Sequence, residues 1–297
     1  NYNVIVSRQT DLQPGRTAIN PATGQPYTVQ HVSSAAGGSN LGTVDDPYQT
    51  IAEAQAAGGD IIFVHGDSVL SAPIVMNSGE RILGEGVDHT ILYGGYGAGL
   101  LPTVNSSASR PTLLGVAGTA VTLASNSEFS GFVLDSPTGY GMVGNSVQNV
   151  VVRNVDILGA GLDGLLLQDA QGTNTFYDLA ISGVLDAGVS IDGGDGEIAL
   201  SGALNNSSGR AVVIANTTGG NVDLTEMVIN DNGGQGVLIQ NADGDASFGR
   251  VDVRNSTTTG VAIDGGSGAF AFANTSVRNA AGAAIDIRNN SGSFVFD

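Results

Sequence analysis

The sequence predicts an all-β fold, a single-stranded parallel β-helix in which one short coil is repeated and stacked on itself. Three observations carry the prediction. Apolar triplets return about every 24 residues, a glycine follows each triplet at a fixed distance, and short segments alternate apolar with polar residues. Period-2 alternation is the mark of a strand with one face on a core.

The triplets are Leu165-Leu166-Leu167, Val189-Ser190-Ile191, Val212-Val213-Ile214, Val237-Leu238-Ile239, Val261-Ala262-Ile263 and Ile285-Asp286-Ile287. Their starts lie 24, 23, 25, 24 and 24 residues apart, so a short coil is followed by a long one and the frame recovers. Seven residues after each start stands a glycine: Gly172, Gly196, Gly219, Gly244, Gly268 and Gly292. A recurring turn with φ > 0 is the expected reason, because glycine enters that region without steric cost. Phe176, Leu200, Leu224, Phe248, Phe272 and Phe296 form a 24-residue apolar column that Val152 extends backwards. A second column follows it, Ile157, Ile181, Leu204, Ile229, Val253 and Val277, beside a polar one of Asn206, Asp231, Asn255 and Asn279. Stacked coils place such positions above one another. The columns then become an interior stack and a side-chain ladder, with about 24 residues and three short strands in each coil.

Residues 46–58 read as an amphipathic helix, with Asp46 as N-cap, Pro47 in the first turn, Ile51, Ala54 and Gln55 on one face, and Gly58-Gly59 as the stop. A solenoid end exposes strand edges and core, so this helix is the expected N-terminal cap. Short strands are expected at 61–64, 74–76, 81–83, 90–93, 112–114, 121–123 and 132–134. Residues 94–111 read as a protruding loop and 1–45 as an extended linker. The regular coils occupy 150–297, within a β-helix spanning 46–297. Phe294-Val295-Phe296 ends in mid-coil, so the natural chain or a partner is expected to continue there.

Composition bounds the function. The chain has 297 residues, 28 acids and 10 bases, a net charge of −18, and every base is arginine. Such a surface repels nucleic acid and anionic lipid and favours solubility. The absence of cysteine rules out disulfides and thiolate metal sites. No apolar run approaches the ~20 residues that span a bilayer, so no membrane insertion of this chain is expected. No signal peptide is visible and the first residue is not Met, so the chain reads as part of something longer.

The stretch DDPYQTIAEAQAAGGDIIFVHGDSV resembles the start of right-handed β-helix proteins of the pectin-lyase-like superfamily. There a capping helix precedes a G-D-x-I-x-V-x-x-G strand, and the N-x-x-x-x-G-V-x-I coils are similar to that superfamily's generic repeats. The resemblance covers about residues 46–297 and implies a right-handed helix. RQTDLQPGRTAINPATGQPYTVQHV, with GTVDDPYQTIAEA and GERILGEGVD, is similar to bacterial surface proteins in which a β-helix passenger adjoins an outer-membrane barrel of the inverse-autotransporter type. That implies a bacterial cell-surface or extracellular location.

The superfamily's lyases use clustered carboxylates for calcium and an Arg or Lys base, and lysine is absent here. Of its polygalacturonase set N-T-D, D-D, G-H-G and R-I-K, only Asp45-Asp46 matches, before the coils. The epimerase motif D-P-H-D is missing. These departures leave no catalytic, cofactor-binding or metal residue assigned. His65, Asp67, Glu85, Asp88 and His89 crowd the first coils, and a histidine beside carboxylates could exchange protons, although a generic strand and turn explain them as well. Asp192, Asp195, Glu197, Asp243 and Asp245 lie in turns that could offer some of the about six to eight oxygens calcium takes. Thr217, Thr218 and Gly219 interrupt that set, so solvated turns are the expectation and calcium the one ion to test. Of the outward residues, Glu226 and Arg250 would pair across coils. Arg254 and Arg278 would stack near Asp252 and could take a sulfated or carboxylated glycan. Tyr93, Tyr96 and Tyr140 are the aromatics best placed for sugar stacking.

Two functions compete. The first is a non-catalytic displayed or secreted β-helix, structural or adhesin-like, with a polysaccharide or cell-surface glycan as partner. The alternative is a polysaccharide lyase or glycoside hydrolase acting on acidic polysaccharide through an atypical site. An oligomerising structural unit is a third reading. The sequence sets neither the ligand nor the oligomeric state.

Overall fold

The computed structural model describes residue 20 and residues 24–93, 97–101, 109–205, 208–232 and 234–296. The fold is a parallel β-solenoid of about nine turns, with one short helix among the described residues. The chain divides into two compact units, Asn1–Leu70 with Gly79–Thr112 and Glu128–Phe132, and Ser71–Ser78 with Leu113–Ser127 and Val133–Asp297.

In the larger unit one sheet records every coil. Ile74, Val121, Met142, Leu165, Val189, Val212, Val237, Val261 and Ile285 are successive parallel partners, and the expected triplets lie in register throughout. The second sheet explains how three strands fit in a coil. Val151–Leu158 and Thr173–Ser182 are continuous strands that bend at Asn154 and Asp178, both at φ 52°. Further along, the same two arms separate into Phe270–Phe272 and Thr275–Arg278 about Asn274, again at φ 52°. A short amide or carboxylate side chain tolerates the left-handed region better than most. The column of Asn154, Asp178 and Asn274 is therefore a corner.

The Phe/Leu column lies inside, as expected. The rings of Phe248 and Phe272 stack at 4.5 Å and 2°, and those of Phe272 and Phe296 at 4.8 Å and 3°. Of the polar column, the side chains of Asn206 and Asp231 lie outside the described residues. Asn279 donates its amide to Asn255 Oδ1 at 3.2 Å, which is the ladder anticipated there.

The glycine column holds for a different reason. Of its six members only Gly172 has φ > 0. A Cβ on Gly244 would fall 2.2 Å from the Gly219 oxygen, and one on Gly268 would fall 2.1 Å from that of Gly244. These glycines let one coil's backbone press on the next. Close approach, not dihedral freedom, excludes a side chain there.

In the smaller unit Val29–Val32, Ile61–Val64 and Arg81–Gly84 run parallel and in register, and Glu128–Ser130 pairs with Arg81–Leu83. The coils are irregular, because Ile61, Arg81 and Glu128 occupy equivalent places. The first strand falls within the segment expected as a linker. Its free edge is closed by the chain that follows: His31 N–H donates to Gly42 O at 3.0 Å, Tyr48 N–H to His31 O at 2.9 Å, and Ser33 N–H to Tyr48 O at 2.8 Å.

The helix begins later than expected, at Ile51–Ala57. Its N-cap is Thr50, in a reciprocal box with Glu53, and Gly58 closes it at φ 70°. Asp46 instead accepts the N–H groups of Ser39 and Asn40, tying the loop that precedes the helix. Ile51 and Ala54 are buried as predicted, and Gln55 donates to Glu80 Oε2 at 2.9 Å. Of the expected 94–111 loop, residues 94–96 and 102–108 lie outside the described residues. Gly97–Leu101 is a strand, antiparallel to His89–Tyr93.

Candidate functional site

The chain contains three histidines, and all three meet one ring. Phe63, buried in the second strand of the smaller unit, lies 5.6 Å from His31, 5.8 Å from His65 and 6.3 Å from His89, centroid to centroid. In-register pairing explains part of this. His31 is the direct partner of Phe63, and His65 follows two residues on, so period 2 returns it to the same face. His31 was not among the residues singled out from the sequence. The segment V-Q-H-V gives little signal, since its apolar residues do not alternate.

The histidines have different partners. His31 Nδ1 and His65 Nε2 face each other at 3.3 Å. On its other side, His65 Nδ1 lies 3.8 Å from Glu85 Oε2. Glu85 is buried, and the same oxygen accepts Gly66 N–H at 2.8 Å. The three groups form a chain, His31 to His65 to Glu85. Burial, then the neighbouring His65, lowers the pKa of His31 from 6.5 to about 4. His89 is fully buried, with Nε2 2.6 Å from Gly84 O and Nδ1 3.2 Å from Ser130 Oγ. The carbonyl can only accept, so Nε2 carries the proton and Nδ1 takes the serine hydroxyl. His89 is thus a bonded core histidine. Asp67 Oδ1 accepts the Ser33 hydroxyl at 3.2 Å, and Asp88 is exposed.

The acidic turns of the larger unit bond from coil to coil. Asn216 Nδ2 donates to Asp192 Oδ1 at 2.8 Å, Ser267 Oγ to Asp243 Oδ1 at 2.8 Å, and Ala269 N–H to Asp245 Oδ1 at 2.8 Å. Asp195 and Glu197 are exposed. Among the described residues no group of three or more His, Asp or Glu is placed to hold a metal ion.

The arginines do converge. Arg254 grips Asp252 with both arms, Nη2 to Oδ2 at 2.6 Å and Nε to Oδ1 at 3.2 Å. Arg278 is the in-register neighbour of Arg254, and its Nε donates to Ser276 Oγ at 3.1 Å. The bond from Arg254, followed by the fields of Arg254, Arg278 and Arg250, holds the Asp252 carboxyl below the ordinary carboxylate range. Three positive charges thus surround one negative charge in a chain whose balance is strongly acidic. The side chain of Asp252 is 8% exposed and that of Arg254 54%. The expected stack of Arg254 on Arg278 is present.

The expected Glu226–Arg250 pair is not in register. Glu226 lies opposite Ser201, while Arg250 lies opposite Val228, because the ladder shifts between Leu224 and Val228. Tyr96 and the side chain of Tyr93 lie outside the described residues, and Tyr140 is half-buried. Tyr177, not singled out from the sequence, is 42% exposed.

No family model matches the chain, and no curated protein matches it. Among solved structures, it is similar to a GH136 lacto-N-biosidase from Eubacterium ramulus, at 9% identity and a TM-score of 0.26, over 91% of this chain and 68% of that one. It is similar to the periplasmic alginate epimerase AlgG, at 11% identity and a TM-score of 0.29, over 79% and 74%. It is likewise similar to the Streptococcus pneumoniae surface protein and adhesin PfbA, at 9% identity and a TM-score of 0.26, over 82% and 93%. Likeness at this level does not bear on activity or ligand.

Proposed function

We propose that this chain is a non-catalytic β-helix, displayed on or secreted from a bacterial cell, that acts as a structural, adhesin-like module with a glycan as its partner. The observation that carries the reading is how outward polar groups are used. Asp192, Asp243, Asp245 and Asn255 are each bonded to the adjacent coil, which stiffens a stalk rather than gathering reactive groups. The arginines about Asp252 supply the contact. Asp252 and Ser276 brace two guanidinium groups one coil apart, and a braced guanidinium suits carboxylate or sulfate.

The test is a panel of pectate, alginate, sulfated and neutral polysaccharides, with and without calcium, reading both retention and released ends. The expected result is salt-sensitive retention on the anionic polymers and no product. An Arg254→Gln/Arg278→Gln double variant should bind about tenfold less, the scale of one or two charge-assisted hydrogen bonds. Equal retention on neutral polymers would overturn the arginine assignment, and product release would overturn the non-catalytic reading. One observation favours that second outcome, the approach of His65 to buried Glu85. Product formation that disappears in Glu85→Gln would place an acid–base pair there.

A further inference from the structure

We propose that His31, His65 and Glu85 form an acid-sensitive latch that holds the first strand and its covering loop to the end of the smaller unit, and that acid releases them. The geometry gives the latch two states. His65 lies between two acceptors: its Nδ1 faces the Glu85 carboxylate at 3.8 Å, and its Nε2–H points at the lone pair of His31 Nδ1 at 3.3 Å. A proton taken up by His31 must go to that Nδ1. Two N–H groups then face each other at 3.3 Å, the bond between them is lost, and the new charge on His31 sits in a half-buried space beside His65 and against Phe63.

The carboxylates around the pair already have partners of their own. The first strand contributes only His31. The turn after Val64 contributes His65 and Asp67, whose carboxylate is bonded to Ser33. The third strand leads to Glu85, which already faces His65. His89 lies across Phe63, bonded to Gly84 and Ser130. From the covering loop, Tyr48 meets the His31 backbone, and Asp46 is bonded to Ser39 and Asn40.

The direction of the response follows from linkage. His31 titrates near 4 when folded and near 6.5 when released. Between those values the released state binds more protons, so stability rises with pH there. The closed cap is fully stabilised above about pH 6.5, weakens as pH falls, and has lost the whole contribution below about pH 4. The strand affected, Val29–Val32, is the terminal one of its sheet among the described residues. Its opening would bare the edge of Ile61–Val64, an unpaired template of the kind native proteins usually cover.

The experiment is hydrogen exchange on the intact chain at pH 7.5 and 4.5, expressed as protection against the intrinsic rate at each pH. Protection at residues 29–33 and 48–58 should fall at least about tenfold at the lower pH, one pKa unit of linkage being a factor of ten. Protection over 150–290 should hold. His31→Gln keeps a polar group but cannot titrate, and should flatten the response. Unchanged protection in the parent chain, or an equal fall in His31→Gln, would overturn the latch. Should that variant fail to fold, the ring-proton titration of the parent chain still decides. A His31 midpoint well below 5 that coincides with cap opening is expected, and a midpoint near 6.5 would overturn the proposal.

Discussion

The two units solve the problem of burying a strand in different ways. In the larger unit successive strand starts from Met142 to Ile285 are 23 to 25 residues apart and the interior is mainly Val, Ile, Leu, Phe and Ala. In the smaller unit the equivalent positions Val29, Ile61, Arg81 and Glu128 follow no period, and His89 and Glu85 are buried. Repetition accounts for the contrast. A stacked column copies its neighbour, so a polar group inside one coil meets the same position in the next and needs a partner there at every step. Apolar side chains meet that demand with no partner at all. Where the spacing breaks, a single histidine or glutamate can find its own partner. The buried histidine and its partners are therefore found among the irregular coils, while the periodic coils bury a polar group where the neighbouring coil bonds it, as Asp163 accepts Ala187 N–H and Asn174 accepts Val150 N–H.

The largest effect should come from breaking the periodic core. Phe248 is 1% exposed and its ring stacks parallel to Phe272. Phe248→Ala should lower stability by about 3–5 kcal/mol through lost burial and the cavity left behind, read as the urea midpoint. Phe296→Ala should cost clearly less, because Phe296 is only half-buried, with its ring stacked on Phe272. Equal losses would mean that the coil of Phe296 is as well packed as that of Phe248.

The cap tests the other side at a smaller scale. Thr50 and Glu53 satisfy each other's backbone N–H groups at the start of a seven-residue helix. Thr50→Ala should cost about 1 kcal/mol. The loss should appear as faster exchange over 48–58 with no change in the regular coils, since each coil of a solenoid depends mainly on its neighbours. A loss of protection spread across both units would contradict that separation.

Much of the fold was legible because a solenoid writes one rule many times. Six triplets and six Phe/Leu positions fixed the register over 165–296 without any single residue being decisive. The irregular coils had no such redundancy. The first strand, Val29–Val32, was hidden by the Gly, Pro and polar residues around it, and with it went His31 and the site it builds. The helix start was misplaced because reciprocity decides the cap: Asp46 is a good capping residue, but Thr50 is the one with a Glu three positions on. The Glu226–Arg250 pairing failed because a ladder shift is invisible to spacing when the columns on either side return to 24. The glycine column was found for the wrong reason, since sequence cannot separate a glycine that turns from one that makes room.

The last and smallest test separates those two uses of a small residue. Asn255 sits at φ 53° and accepts the Asn279 amide at 3.2 Å. Asn255→Ala should cost about 1 kcal/mol, mainly because a Cβ without a compensating local hydrogen bond disfavours the left-handed region. Asn255→Gly removes that strain but loses the ladder bond, about 0.5–1 kcal/mol for an exposed amide pair. At Gly244 the order should invert, because space and not dihedral angle is limiting: Gly244→Ala would drive a methyl to 2.2 Å from the Gly219 oxygen. Thermal unfolding of the three variants therefore ranks Gly244→Ala below Asn255→Ala, and Asn255→Ala below Asn255→Gly. If Asn255→Gly were the less stable of the two Asn255 variants, the side-chain ladder rather than the left-handed corner would be what asparagine contributes there.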